Sequence, residues 1–229
     1  MSSRLHGVEW IFFDLGSTLL DETKCLMDRL SKAATLAGDF GVYVTLEELW
    51  RWSEEAYTAF EPSPFRSALA HTNLTEEHRE VVYQGSPYHN SGEILYSGVG
   101  DLLAQLSASY HLGIIANQPP GLQQRLAAYG IVEHFRCILG SGDMEVGKPN
   151  PAIFELAERE VAPCTPDRMV MVGDRVDNDI RPANELGWCT VRVRQGIAHR
   201  QVPRKPAEIA HGELENITHL RELLELQGK

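Results

Sequence analysis

Apolar positions fall into two patterns along this chain. Some form short unbroken runs, and the first of these, Val8 to Phe13, is too short for a buried helix and fits a buried strand. Others recur at helical spacing, which predicts helices over 22–38 and 45–60. The second is amphipathic and opens with Thr45 and Glu48 in the Thr-x-x-Glu capping arrangement. After Thr75 the matching acid is absent, His78 standing in its place, yet Glu76 and Glu77 suit a helix's first turn. Pro62, Pro64 and the loop 84–93 are expected to break these helices and mark a boundary.

From about Ser97 the two patterns alternate. Helices are predicted at 99–110, 121–130 (closed by Gly130), 150–160 and 179–187 (ending at Gly187). Strands are predicted between and after them at 112–117, 137–142, 168–174 and 189–194, with a last surface helix at 218–227. Strands separated by helices of about 10 residues predict βαβ units and a parallel sheet. The expected fold is α/β, a Rossmann-like parallel-sheet core of residues 1–21 and 97–229 with an inserted helical domain over 22–96.

Charge and cysteine usage narrow the function classes. The formal net charge of −11 argues against affinity for nucleic acid or an anionic membrane. A small anionic substrate stays compatible with it, because a bound cation can reverse the local field. Cys25, Cys137, Cys164 and Cys189 form no CxxC pair and read as reduced thiols of a cytoplasmic protein. The N-terminal stretch 1–10 has no apolar core of signal-peptide length, and no run approaches a membrane span. The nine histidines show no HExxH or clustered pattern, so a histidine metal site is not expected.

Candidate chemistry collects at the predicted strand ends. Asp14 follows the first strand, Asn117 the second, Lys148 lies in the loop after the third, and Gly173, Asp174, Asp177 and Asp179 follow the fourth. Ligands of open parallel sheets bind outside the carboxyl ends of the strands. Alone, Asp-x-Gly-x-Thr reads most simply as a strand-end cap, Lys-Pro as a solvated loop and GDRVDND as an acidic turn. Their shared placement and order are what make them informative.

In that order they resemble the haloacid dehalogenase superfamily of phosphatases and related hydrolases. Asp14 and Thr18 match its first motif, Ala116 occupies its second, Lys148 in GKPNPAIF its third, and Gly173, Asp174 and Asp179 its fourth. The resemblance spans about residues 8–195, with 22–96 in the place of the family's helical cap of the C1 type. It implies that Asp14 is the nucleophile of an aspartyl-phosphate route to phosphoester hydrolysis, with Lys148 neutralising charge. It also implies Mg²⁺ held by Asp14, the Gly16 carbonyl, Asp174 and Asp179, and a small phosphorylated metabolite as substrate. The chemistry is self-consistent: a carboxylate can attack phosphorus, and the anionic phosphoryl group needs cations and hard oxygen ligands around it. Asp179 would bind the metal directly or through water, and Asp177 is expected to be exposed.

Two departures bear on activity. The family's phosphatases place a second Asp two residues after the nucleophile, and here that position is Gly16. General acid–base help is typically worth about 10²–10⁴-fold, so its loss predicts slow turnover. Ala116 lacks the hydroxyl expected to meet the phosphoryl group, for which Asn117, Gln118 or backbone N–H groups are candidate substitutes, with Thr18 and Lys148 as further substrate contacts. The alternative is a weak or inactive member that binds a phosphorylated ligand or a protein partner. A dehalogenase has little use for the Asp174/Asp179 pair, and a phosphonatase needs a cap lysine, for which only Lys24 and Lys32 are present. Within 22–96, Arg66, His71, Tyr88 and His89 are polar candidates best read as solvated, and Trp50 and Trp52 as packing residues. Monomer and homodimer both remain open.

Overall fold

The computed structural model describes residues 5 and 7–227, so part of the N-terminal stretch 1–10 lies outside the described residues. Its strands are β1 (Trp10–Phe13), β2 (Leu20–Asp21), β3 (Ile94–Leu95), β4 (His111–Ala116), β5 (Phe135–Gly140), β6 (Met169–Gly173), β7 (Cys189–Val193) and β8 (Gly212–Leu214). Six form one sheet in the order β5-β4-β1-β6-β7-β8, with every neighbouring pair parallel. The pair β2 and β3 makes a separate two-stranded sheet. The chain runs outward from β1 through β4 to β5, then returns to the other side of β1 with β6. That reversal opens a crevice outside the carboxyl ends of β1 and β6, where such sheets hold ligands.

Burial explains why the strands read as continuous apolar runs. Along β1 the side chains alternate, Ile11 and Phe13 joining one apolar cluster and Phe12 the other. Both faces are covered, as parallel sheets require. Helices Val99–Ser107 and Leu122–Ala128 bring Leu102, Leu103, Leu106, Leu122 and Leu126 to the first cluster. Helix Pro151–Glu160 brings Ile153, Phe154 and Ala157 to the second. There Trp188 packs against Phe12 and Phe154, with ring centroids at 5.2 and 5.7 Å. Its indole N–H donates to Glu158 Oε1 at 2.7 Å, so burial leaves no orphan donor.

The chain divides into two compact units, one running to Leu20, through Ile94–Gln195 and on from Pro203, the other Asp21–Glu93 with Gly196–Val202. The second unit is helical, built of Thr23–Asp39, Leu46–Thr58, Pro64–Ala70 and Glu76–Gly85 around Leu30, Ala33, Leu49, Phe65, Leu69 and Val82. Its late segment joins through Gln201, whose Nε2 donates to Tyr57 O at 2.9 Å, and Arg200, paired with Glu54 at 2.9 Å. No sequence pattern announced that return. Trp50 and Trp52 pack against this unit's core, as expected. The capping box forms, Glu48 N–H donating to Thr45 Oγ1 at 3.1 Å and Thr45 N–H to Glu48 Oε2 at 2.8 Å. No helix of the described residues is long and apolar enough to cross a membrane.

Several boundaries differ from expectation for identifiable reasons. Pro64 opens a helix instead of ending one, since the first helical position needs no N–H. The stretch 179–187 is a π-turn at Val176–Ile180 followed by a short helix, Arg181–Glu185, that begins beside Pro182. The strand expected at 137–142 starts at Phe135 and stops at Gly140, where Ser141–Met144 makes a helical turn. β8 is three residues long with Glu213 exposed, too short and polar to show as an apolar run.

At Gly113 in β4 a Cβ would lie 2.4 Å from the Phe12 ring. Gly113→Ala should therefore lower unfolding free energy by about 1–3 kcal/mol, measured by urea denaturation, as expected when a packed core is overfilled.

Candidate active site

The carboxyl edge of the sheet gathers the charged residues. Asp14 N–H donates to Val172 O at 2.9 Å, carrying the β1–β6 ladder one residue past the strand. The chain then turns sharply. Leu19 and Leu20 N–H both donate to Leu15 O at 2.9 Å, and Ser17 N–H donates to Leu20 O at 2.8 Å. Ser17 takes a left-handed φ of 55°, and Leu15, Leu19 and Leu20 are fully buried, so backbone bonds and apolar packing fix the loop.

Lys148 reaches the same edge from the loop after β5. Its N–H donates to Asn117 Oδ1 at 2.8 Å, and Asn117 Nδ2 donates to Lys148 O at 2.7 Å. This two-point clamp ties the lysine's backbone to the end of β4. Gly147 permits it, because a Cβ there would sit 2.6 Å from Asn117 Oδ1. Lys148 Nζ then donates to Asp14 Oδ1 at 2.6 Å and to Asp179 Oδ1 at 2.5 Å. Asp179 Oδ2 accepts from Arg175 N–H at 3.0 Å. Its carboxyl lies where a Cβ on Gly173 would fall, 2.4 Å from Asp179 Cγ, so that glycine is a steric requirement.

Burial sets the electrostatics. Burial opposes the Lys148 charge, but Asp14 and Asp179 outweigh it and hold the ammonium above its usual range. Burial pushes the Asp179 carboxyl up to about 6, with Lys148 pulling it down and Asp14 adding repulsion. Asp14 keeps 14% of its side chain exposed, against 1% for Asp179. Of the two carboxylates that share the lysine, Asp14 is therefore the one open to a substrate. Oxygens of Asp14, Asp174 and Asp179 lie within 4.8 Å of one another, a hard-donor set that fits a divalent cation. Three carboxylates against one ammonium leave two net negative charges, which such a cation balances.

Other expected site residues take different places. Both polar ends of the Asn117 side chain are engaged by the Lys148 backbone. Gln118 Oε1 accepts from the Arg125 guanidinium, and its N–H donates to Ser141 Oγ at 3.1 Å. Thr18 is buried with its Oγ1 unpartnered. Asp177 is not exposed as expected, because Arg175 Nη2 donates to its Oδ2 at 2.6 Å and Arg175 Nε to its Oδ1 at 3.1 Å. In the helical unit, Arg66 pairs with Glu80 and lies 3.7 Å from the Tyr83 ring centroid, and His71 stacks on Trp52. Tyr88 is half-buried instead of solvated, its hydroxyl 3.0 Å from Glu22 Oε1 and 2.9 Å from Glu93 Oε1. Gly147, Ser141 and the Arg175 amide went unremarked in the sequence, and Gly173 was matched to a motif without its steric role. The available signal was glycine immediately before Lys148 and before Asp174.

Known proteins resemble this chain in sequence and fold. The chain is 28% identical over 229 residues to the glyceraldehyde 3-phosphate phosphatase of Methanopyrus kandleri, covering 96% of this chain and 97% of that one. It is 25% identical over 221 residues to the phosphoglycolate phosphatase of Salmonella typhi, covering 87% and 86%. A crystal structure of a predicted phosphoglycolate phosphatase from Haemophilus somnus 129pt shares the fold at a TM-score of 0.67 and 21% identity, covering 96% and 98%. Residues 8–187 match the haloacid dehalogenase-like hydrolase family, and the chain belongs to it.

Proposed function

We propose that the chain is a Mg²⁺-dependent phosphatase of a small phosphorylated metabolite, working through an aspartyl-phosphate at Asp14. One observation carries this reading: Asp14 is the partly exposed one of the two carboxylates that share buried Lys148, with an Asp174 oxygen within 4.8 Å of both. The phosphatase relatives support a small phosphorylated substrate. Residues 1–21 and 97–229 would form the catalytic core, and 22–96 the cap that sets substrate choice. The four free cysteines support a cytoplasmic setting.

In this mechanism Asp14 Oδ attacks phosphorus as the bond from phosphorus to the substrate oxygen breaks, while Lys148 offsets repulsion between the two anions. That oxygen leaves with the electron pair and takes any proton it needs from solvent. Asp14, the Gly16 carbonyl, Asp174 and Asp179, the last directly or through water, would hold Mg²⁺, which when bound neutralises phosphoryl charge. Asp179, with both oxygens engaged, acts behind Lys148 by aiming its ammonium. Asn117 is a positioning residue that fixes where that lysine's backbone stands. Water then attacks the phosphorus of the aspartyl-phosphate and returns Asp14 to the carboxylate.

Asp14→Asn should abolish Mg²⁺-dependent phosphate release across a phosphorylated-metabolite panel, by more than about 10³-fold, with the thermal melt retained. Release that survives this change, or that ignores chelation by EDTA, would sink the proposal. No release by the natural protein would favour a phosphate-binding role instead.

Asn117→Ala should lower kcat by about 10²-fold with a much smaller change in KM, because a misplaced Lys148 harms the transition state more than binding. Steady-state kinetics on the best panel substrate would check the split, with Asn117→Asp, which keeps the acceptor for the Lys148 N–H, recovering part of the loss.

A further inference from the structure

Between Asp14 and Leu20 the chain reads Asp-Leu-Gly-Ser-Thr-Leu-Leu, and Asp14 is its sole carboxylate. Two residues beyond the attacking group stands Gly16, bridged to Leu20 and without a positive φ. Its backbone therefore does not require glycine for a left-handed conformation. Elsewhere along the edge, three acids are held as hydrogen-bond acceptors, and Asp174 belongs to the hard-donor set. Asp179 accepts from Lys148 and Arg175, Asp177 from Arg175, and Asp143 Oδ1 from Gly121 N–H at 3.0 Å. The Lys148 ammonium aims its N–H bonds at Asp14 and Asp179.

What the edge provides is a nucleophile and charge neutralisation. What position 16 lacks is a proton for the departing oxygen. The cost of that lack depends on the leaving group. An alkyl phosphate must release an alkoxide about as basic as hydroxide, the conjugate acid of which has a pKa of about 15.7. An acyl phosphate releases a carboxylate, whose conjugate acid has a pKa of about 4, and needs no proton.

Resting on the phosphatase reading above, we infer that this site is matched to acyl phosphates, the mixed anhydrides of carboxylic and phosphoric acid, in preference to alkyl phosphate esters. An Asp14 oxygen forms a bond to phosphorus as the bond from phosphorus to the acyl oxygen breaks. The electron pair of that bond stays on the acyl oxygen, which leaves as a carboxylate. Water then attacks phosphorus and the bond to Asp14 breaks, its electron pair returning to the carboxylate. The water proton passes to solvent or phosphate. The products are a free carboxylate and inorganic phosphate, with no oxidant or further reactant.

The test is a leaving-group series with the full-length protein and Mg²⁺: acetyl phosphate, 4-nitrophenyl phosphate, phenyl phosphate and glycerol 3-phosphate, with Asp14→Asn as the blank for spontaneous hydrolysis. We expect kcat/KM to fall steeply as leaving-group pKa rises, with acetyl phosphate ahead of glycerol 3-phosphate by at least about 10²-fold. Gly16→Asp should flatten the slope by raising glycerol 3-phosphate turnover about 10-fold or more. A flat series for the natural protein overturns the inference while leaving the phosphatase reading intact. Absence of Mg²⁺-dependent turnover on every member, acetyl phosphate included, overturns both. The slope of the natural protein decides the matter even if the variant does not fold.

Discussion

The buried ammonium of Lys148, shared by Asp14 and Asp179, is the contact on which the rest of the site depends. A lysine head group this deep is tolerable only with its charge matched and its N–H groups bonded. Its partners are 134 and 31 residues away in sequence, so they meet only when β1, β5 and β6 lie in register. Formation of the sheet and assembly of the site are thus one event. Removing Lys148 would leave Asp179 buried without its countercharge, a cost of about 3–5 kcal/mol for buried pairs. The two glycines at the site serve the same contact, since Gly147 lets Asn117 close on the lysine's backbone and Gly173 makes room for Asp179.

Charge balance then explains the acidic trio. Asp14, Asp174 and Asp179 bring three negative charges to a small volume and Lys148 returns one. A phosphoryl group would add more. Within a chain already at −11, an anionic substrate has no general attraction to draw on, so local neutralisation must be supplied at the site itself. Hard carboxylate oxygens are suited to a divalent cation, and their spacing here fits that use.

Much of this was legible in the sequence. The parallel sheet followed from strand and helix alternation, and both-face burial of β1 from its unbroken apolar run. The residues that the structure brings together, Asp14, Lys148, Asp174 and Asp179, stand after strands that the pattern located along the chain without disclosing their order in the sheet. Illegible were features made by contacts with no local signature. Asn117 looked like a ligand because its amide is polar and stands at a strand end, and nothing nearby in sequence reveals that Lys148's backbone occupies it. Asp177 looked solvated because its guanidinium partner, two residues back, reads as one more loop charge. The Gly196–Val202 segment reaches the helical unit through single polar contacts, which have no periodicity to detect.

Position 16 shows how chemistry can vary here without disturbing the fold. The turn after Asp14 closes through backbone atoms of Leu15, Ser17, Leu19 and Leu20, and its packing is carried by the buried leucines. Nothing in that closure uses a side chain at Gly16. The residue is also only partly buried. Asp14, by contrast, is bound into the lysine cluster, so a change there alters the charge around Lys148. On the proposed mechanism, a loop built this way would separate the parts that must be fixed, attack and neutralisation, from the part that selects among leaving groups. Absence of an acid at position 16 would then narrow the range of substrates while the proposed attacking scaffold stays whole.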